Sequence, residues 1–243
     1  MTASVDAKSQ FYESIDVVWG VARTPRLVKT LQILSQYRAR RILDLGCGAG
    51  DICVEIGKLT GARELYGADI SQRAVDMAKT KGITAIRVDL DNENLPFESK
   101  SFDIILALEI IEHLVDPDHL LLEMKSLLNP GGKVVVSTPN LAWWLNRIAL
   151  GLGFQPFFTE ISTLNAGVGK KNSTRSPPVG HLRVFTNHGF KELALLHGFR
   201  ITGEFPSPAG LPGRIIRGLD SLLSMNPHWA ANVIYVCERG DQT

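Results

Sequence analysis

The sequence lacks the features of a disulfide-bonded, nucleic-acid-coating or membrane-spanning protein. Three cysteines among 243 residues are too few for a disulfide framework. A formal net charge of +1, from 26 basic and 25 acidic side chains, disfavours a nucleic-acid partner. The most apolar stretch, residues 141–158, is interrupted by polar side chains and is too short to span a bilayer. The first residues lack the apolar run of a signal peptide, so we expect a cytoplasmic protein.

Strand and helix signals alternate from residue 39 onwards. The strand-like segments are 41–46, 64–70, 84–90, 102–108 and 133–138, and the helix-like segments between them include 52–59 and 117–128. This rhythm predicts an α/β fold with a doubly wound, mostly parallel sheet of the Rossmann-like kind. Two later strands, 200–205 and 232–237, flank a long excursion rich in proline and glycine. They predict an antiparallel edge strand, which brings the sheet to seven strands.

Two segments lie outside this rhythm and are the expected additions to a main domain of residues 39–243. Residues 1–38 are predicted to form an N-terminal helical cap over the active site. Residues 141–180 begin apolar and end polar and basic, which predicts a lid or substrate-binding insertion.

A glycine-rich loop follows the first predicted strand, in the sequence Asp44-Leu-Gly46-Cys-Gly48-Ala-Gly50. Glycines at alternate positions allow a sharp turn and let a ligand approach the backbone. Their spacing differs from the Gly-x-Gly-x-x-Gly pattern of dinucleotide sites, which disfavours a nicotinamide-dependent oxidoreductase. Asp69 ends the second strand, where its carboxylate can accept hydrogen bonds from ribose hydroxyls.

With three further motifs, this loop resembles the class I S-adenosylmethionine-dependent methyltransferases, in particular the O-methyltransferases of the ubiquinone pathway. The motifs are Leu95-Pro-Phe97 ahead of Ser101-Phe-Asp103, Glu112-His113, and Leu128-Asn-Pro-Gly-Gly132. The resemblance is close over residues 38–140 and looser over 180–240. These motifs specify the fold and the cofactor, S-adenosylmethionine, but not the methyl acceptor.

The resemblance implies a set of cofactor-binding residues: Asp44, Gly46, Cys47, Gly48, Gly50, Asp69, Ile70, Asp89, Leu90 and Leu108. The glycine loop would hold the methionine part, with Asp44 orienting the loop. Asp69 would accept from the ribose hydroxyls, with Ile70 against the adenine. An aspartate after the third strand would accept from the adenine amino group, and Asp89 is preferred there over Asp91.

Glu109, Glu112 and His113 follow the fourth strand, whose end would lie near the sulfonium of the cofactor. Their spacing predicts that they share one side of a helical turn. Methyl transfer to a hydroxyl needs a general base or a metal ion, so these three are the candidate catalytic residues, led by His113. Together with His181 they would also suit a divalent cation such as Mg²⁺, Mn²⁺ or Zn²⁺. The alternative is that the histidine caps a helix or acts as a base without metal.

The predicted acceptor is a small or lipid-like molecule, methylated at oxygen. The small-RNA 3′-end 2′-O-methyltransferases are also similar, but they have a further histidine where this sequence has Leu114. An RNA ribose methyltransferase and a non-catalytic cofactor-binding partner subunit therefore remain as alternatives. Residues 141–158 would form a wall of the acceptor site, a peripheral membrane contact, a lid packed on its own domain, or a dimer contact.

Overall fold

The computed structural model describes residues 10, 23–171 and 175–240. Within them the strands are β1 (Arg41–Leu45), β2 (Glu64–Asp69), β3 (Thr84–Arg87), β4 (Phe102–Leu108), β5 (Leu128–Pro139), β6 (Phe199–Ser207) and β7 (Asn232–Arg239). The helices are α1 (Pro25–Leu34), α2 (Asp51–Thr60), α3 (Gln72–Thr80), α4 (Pro117–Leu127), α5 (Trp144–Gly151), α6 (Asn187–Leu196) and α7 (Arg214–Leu223). A 3₁₀ turn, Ile111–His113, follows β4.

The strands form one seven-stranded sheet in the order β3-β2-β1-β4-β5-β7-β6. All pairs from β3 to β5 are parallel, whereas β7 pairs antiparallel with both β5 and the edge strand β6. This topology confirms the predicted doubly wound sheet with an antiparallel edge pair.

Both faces of the sheet are buried, which is the expected state of a parallel sheet covered by helices. Successive side chains of a strand point to opposite faces. Leu43 and Ile105 accordingly belong to the larger core cluster, while Ile42 and Ile104 belong to the cluster that includes α1. The central strands are therefore apolar at consecutive positions, and their ends at one edge are left to form a site.

Two strands end or begin elsewhere than their sequence predicts. β3 stops at Arg87 instead of Leu90, because its partner β2 ends at Asp69, the residue paired with Arg87. β5 begins at Leu128, before the glycines expected to separate it from the helix. Its pairing with β4 shifts register between Phe102 and Ile104, which accommodates the extra residues.

Of the predicted cap, the structure describes α1 and its flanks; residues 1–9 and 11–22 lie outside the described residues. α1 begins after Thr24, whose hydroxyl accepts from the Leu27 N–H at 3.2 Å. Its buried side chains, among them Leu27 and Leu31, pack on the core, so α1 is a fixed part of the domain.

The insertion after β5 begins with α5 and is fastened to α7. Trp143 and Trp144 are buried, and both indole N–H groups donate to Asp220 Oδ1, at 3.0 and 2.9 Å. These two tryptophans therefore pack on their own domain. Across the described part of the chain, no helix combines the length and apolarity that a bilayer crossing requires.

Candidate active site

A cleft opens at the carboxyl ends of the central strands. The chain moves from β1 to β2 on one side and later to β4 on the other, so this is the switch point at which open α/β sheets bind ligands. The cleft is lined by Gly46, Asp69, Ile70, Val88, Asp89, Leu90, Glu109, Ile110, His113 and Leu114. Half of the predicted cofactor residues are in that lining. The others, Asp44, Cys47, Gly48, Gly50 and Leu108, lie beside it along the chain.

The glycine loop is held against the end of β2 by Asp69. Its Oδ2 accepts from the Gly48 N–H at 2.8 Å, and its Oδ1 accepts from the Ser71 N–H at 2.9 Å. Gly46 has a φ of 71°, and a Cβ there would overlap the Ile110 side chain. Only glycine therefore fits this turn, and the cleft begins where its backbone is exposed.

Asp44 lies beneath the loop and is almost fully buried. Burial, with a smaller contribution from the negative charge of Asp69, raises the pKa of Asp44 to about 7. Burial also raises the pKa of Cys47, which packs with Val75 and Ile83. Cys47 is thus a neutral packing residue, whereas Asp44 can carry or release a proton near neutral pH.

Their hydrogen bonds distinguish Asp89 from Asp91, the two candidate adenine-binding aspartates after β3. Asp89 is buried, lines the cleft, and accepts from the Asn92 side chain at 2.8 Å. Asp91 Oδ1 accepts from the N–H groups of Val115 and Asp116, at 2.8 and 3.0 Å. Asp91 therefore ties this segment to the start of α4, and Asp89 is the aspartate that borders the cleft.

Glu109 does not share a helical turn with Glu112 and His113, contrary to the sequence expectation. It follows β4, which ends at Leu108, and has a φ of 59°, a left-handed conformation that non-glycine residues seldom adopt. Its Oε1 accepts from the Ser137 hydroxyl at 2.9 Å, and its Oε2 pairs with the Arg26 guanidinium. Burial raises the pKa of Glu109, and Arg26 opposes that shift. Arg26 was missed because α1 carries no motif that marks it.

Glu112, His113 and His181 form a compact cluster at the same end of the sheet. One ligand atom from each lies within 4.8 Å of the other two, and the two imidazole centroids are 4.9 Å apart. Glu112 is fully buried. Thr138 is close enough to lower its pKa slightly, yet neither carboxylate oxygen makes a well-formed hydrogen bond within the described residues. Burial, and then the charge of Glu109, raises the pKa of Glu112 well above its ordinary value.

Backbone carbonyls orient both imidazoles. His113 Nδ1 lies 3.0 Å from Gly180 O, and His181 Nδ1 lies 2.8 Å from Phe158 O. A proton on each Nδ1 would satisfy these contacts and place the ring lone pair on Nε2, the usual preparation of a histidine for metal binding or proton transfer. Three of the four predicted metal-binding residues, Glu112, His113 and His181, therefore lie close together. The fourth, Glu109, instead contacts Arg26 and Ser137.

Comparison with known proteins identifies the family to which this chain belongs. A family model described as a methyltransferase domain matches residues 22–204. A Sinorhizobium medicae protein named ubiquinone biosynthesis O-methyltransferase is 35% identical over 104 residues, which is 41% of this chain and 41% of that protein. The chain therefore spans less than half the length of this relative.

Solved structures resemble the whole fold. A chain from the Haloferax volcanii complex between the Trm112 methyltransferase activator and a methyltransferase aligns with a TM-score of 0.61 and 15% identity, over 99% of this chain and 97% of that one. A Mesorhizobium loti S-adenosylmethionine-dependent methyltransferase aligns with a TM-score of 0.58 and 21% identity, over 87% of this chain and 96% of that one. At such identities the likeness shows the fold alone, and the chemistry has to be argued from the residues of the site.

Proposed function

The chain belongs to the methyltransferase domain family, and from that premise we propose that it transfers the methyl group of S-adenosylmethionine to an oxygen of a small or lipid-like acceptor. The observation that carries this proposal is the buried Glu112 carboxylate beside two imidazoles at the end of the cleft. Proton removal from a hydroxyl needs such groups. The O-methyltransferase relative supports an oxygen acceptor, although it is matched over less than half its length. A cytoplasmic location stays a prediction.

The cofactor would occupy the cleft lined by Asp69, Ile70, Asp89 and Leu90. Apolar Ile70 and Leu90 suit the faces of an adenine ring, and Asp89 supplies an acceptor for its amino group. Asp69 would receive the ribose hydroxyls while holding the glycine loop. When bound, S-adenosylmethionine supplies an activated methyl group, so the protein has mainly to position the acceptor and remove its proton.

Arg26 and Glu109 would meet the amino-acid end of the cofactor. Their opposite charges lie together at the tip of β4, where Glu109 borders the cleft. A zwitterion carries the complementary pair, a carboxylate and an ammonium, and charge-assisted hydrogen bonds are the stronger kind. Arg26 therefore joins the proposed cofactor site as the residue that the sequence did not reveal.

The residues Glu112, His113 and His181 fit a divalent cation. A buried carboxylate without a well-formed hydrogen bond is costly unless it is protonated or binds a positive group. One oxygen and two nitrogen donors suit Mn²⁺ or Zn²⁺ better than Mg²⁺. A cation there would lower the pKa of an acceptor hydroxyl, and Gly180 and Phe158 would hold the rings in place. Without a cation, His113 would take the proton with Glu112 in support.

Titration calorimetry with MnCl₂ and, separately, with S-adenosylhomocysteine tests the proposal. We expect Glu112→Gln and His181→Ala to weaken Mn²⁺ binding on the order of tenfold or more, because each removes one ligand. Both should keep their affinity for S-adenosylhomocysteine, since neither residue lines the cofactor cleft. His188→Ala is the matched control, because that imidazole lies on the surface of α6.

Methyl transfer to phenolic acceptors with apolar chains then separates the readings of the site. Turnover that falls in Glu112→Gln and is lost with EDTA supports the cation. Turnover that is unchanged by EDTA but falls in His113→Ala supports His113 as a general base without a cation. Binding of S-adenosylhomocysteine without turnover on any hydroxyl acceptor would contradict an O-methyltransferase and favour the non-catalytic subunit.

A further inference from the structure

Helix α7 packs on the domain along one stripe of its side chains, and Arg217 also donates a hydrogen bond to Leu211 O in the preceding loop. Its Ile216 and Leu223 pack with the buried Trp143 and Trp144 in a separate apolar cluster. From the same side, Asp220 accepts hydrogen bonds from both indoles and, at 2.9 Å, from the Ala209 N–H. These contacts fix the orientation of α7, and so they also fix which of its side chains face outward.

The neighbouring stripe of α7 is apolar and exposed. Ile215, Leu219 and Leu222 are spaced by four and three residues, which places them on one side of the helix. Their exposures are 91%, 42% and 64%, and Met225, in the turn that follows, is 74% exposed. Single exposed apolar residues are ordinary, but a row of four large ones marks a contact surface.

The exposed charged side chains of α7 are all basic, and helical spacing places Arg217 on the side of the helix opposite to Ile215 and Leu219. Arg214 and Arg217 are exposed on α7, and the Arg147 guanidinium lies over the half-exposed Trp229 ring, 5.6 Å from its centroid. The one acidic residue between positions 209 and 231 is Asp220, which is fully buried. We call the outer stripe of α7, with Met225, Trp229 and these three arginines, the α7 surface.

We propose that the α7 surface binds the face of a lipid bilayer that carries anionic headgroups. An apolar stripe beside basic side chains is the pattern of a helix lying in the membrane interface, and Trp229 suits the headgroup level. A second copy of the chain fits less well, because two such surfaces would bring arginines together, and residues 209–231 offer no exposed carboxylate to pair with them. The inference does not depend on the proposed function.

Vesicle sedimentation tests this surface with the full chain. We expect binding to phosphatidylglycerol-containing vesicles, much weaker binding to phosphatidylcholine alone, and a decrease with added salt. Arg214→Gln with Arg217→Gln should lower binding to the anionic vesicles on the order of tenfold. Ile215→Ser with Leu222→Ser should lower it at least as much, because it removes the inserted apolar area.

The matched control is Leu195→Ser with Leu196→Ser, which changes two exposed leucines on α6. It should bind vesicles as the unchanged protein does. A thermal shift with S-adenosylhomocysteine should be retained by all variants, showing that the cofactor domain stays folded. No binding to anionic vesicles, an equal loss in the control, or a solution dimer that Ile215→Ser with Leu222→Ser dissociates would each overturn the proposal.

Discussion

At the residue scale, Asp69 has two tasks within one carboxylate. Both of its oxygens accept backbone hydrogen bonds, one from the glycine loop and one from Ser71 at the start of α3. The same side chain also lines the cleft. The shape of the loop and the polarity of the site therefore both depend on this carboxylate. A substitution of Asp69 should weaken ligand binding through both effects.

We predict that Asp69→Ala lowers the affinity for S-adenosylhomocysteine about ten- to a hundredfold, the effect of losing hydrogen bonds to a charged acceptor. Titration calorimetry measures this directly. Asp76→Ala is the control, because that carboxylate is exposed on α3 and accepts a hydrogen bond from the Gln72 side chain. Equal affinity in the Asp69→Ala variant and the unchanged protein would show that Asp69 has no part in the cofactor site.

The site was predictable where its residues are close in sequence. The loop from Asp44 to Gly50 and the Glu112–His113 pair form local motifs, and strand ends bring them to one edge. Arg26 was not predictable, because it reaches Glu109 from a helix 83 positions away. The conformation of Glu109 was not predictable either, since a left-handed glutamate is held by its tertiary contacts and opposed by its own propensity.

At the element scale, Asp220 joins α7, the insertion and the loop before α7. We predict that Asp220→Ala lowers the free energy of unfolding by about 3 kcal/mol, because it leaves two buried indole N–H groups without their acceptor. Urea unfolding measures the loss. Ser221→Ala, an exposed change on the same helix, should cost under about 0.5 kcal/mol. Similar values for the two variants would refute this role for Asp220.

Most strands of the sheet, and the helices between them, were predictable because the spacing of their apolar residues and their capping residues agree with how they pack. Ser71 caps α3, its hydroxyl accepting from the Ala74 N–H, and serine is a residue type preferred at that position. The end of β3 was not predictable from β3 itself, since it depends on the length of its partner. α7 was missed inside the excursion after β6, although Ile215, Leu219 and Leu222 recur at helical spacing; the surrounding proline and glycine obscured that signal.

At the scale of the whole molecule, stability should depend on the proton of Asp44. Its pKa is about 7 in the folded protein, against an ordinary value of 3.8, so between these values the folded state keeps a proton that the unfolded state has lost. Stability must then fall as pH rises through this window, by about 1.4 kcal/mol per pH unit from this group, and level off above about pH 7.

We predict that Asp44→Asn removes this contribution. The free energy of unfolding of the variant, relative to the unchanged protein, should therefore rise by about 2 kcal/mol between about pH 5 and about pH 7. Urea titrations at the two pH values measure the difference, and the comparison cancels the titration of other groups. A difference that does not change with pH would mean that Asp44 is ionised throughout.

The contact between His181 and Phe158 has an evolutionary consequence. Both residues belong to the stretch between β5 and α6, whereas the glycine loop, Asp69 and Asp89 all precede β4. Recombination that replaced residues 141–186 would exchange His181 together with Phe158, which orients its ring, and would leave the glycine loop, Asp69 and Asp89 unchanged. The histidine and the segment that orients it would then be inherited as one unit, while the part of the domain before β4 stays the same.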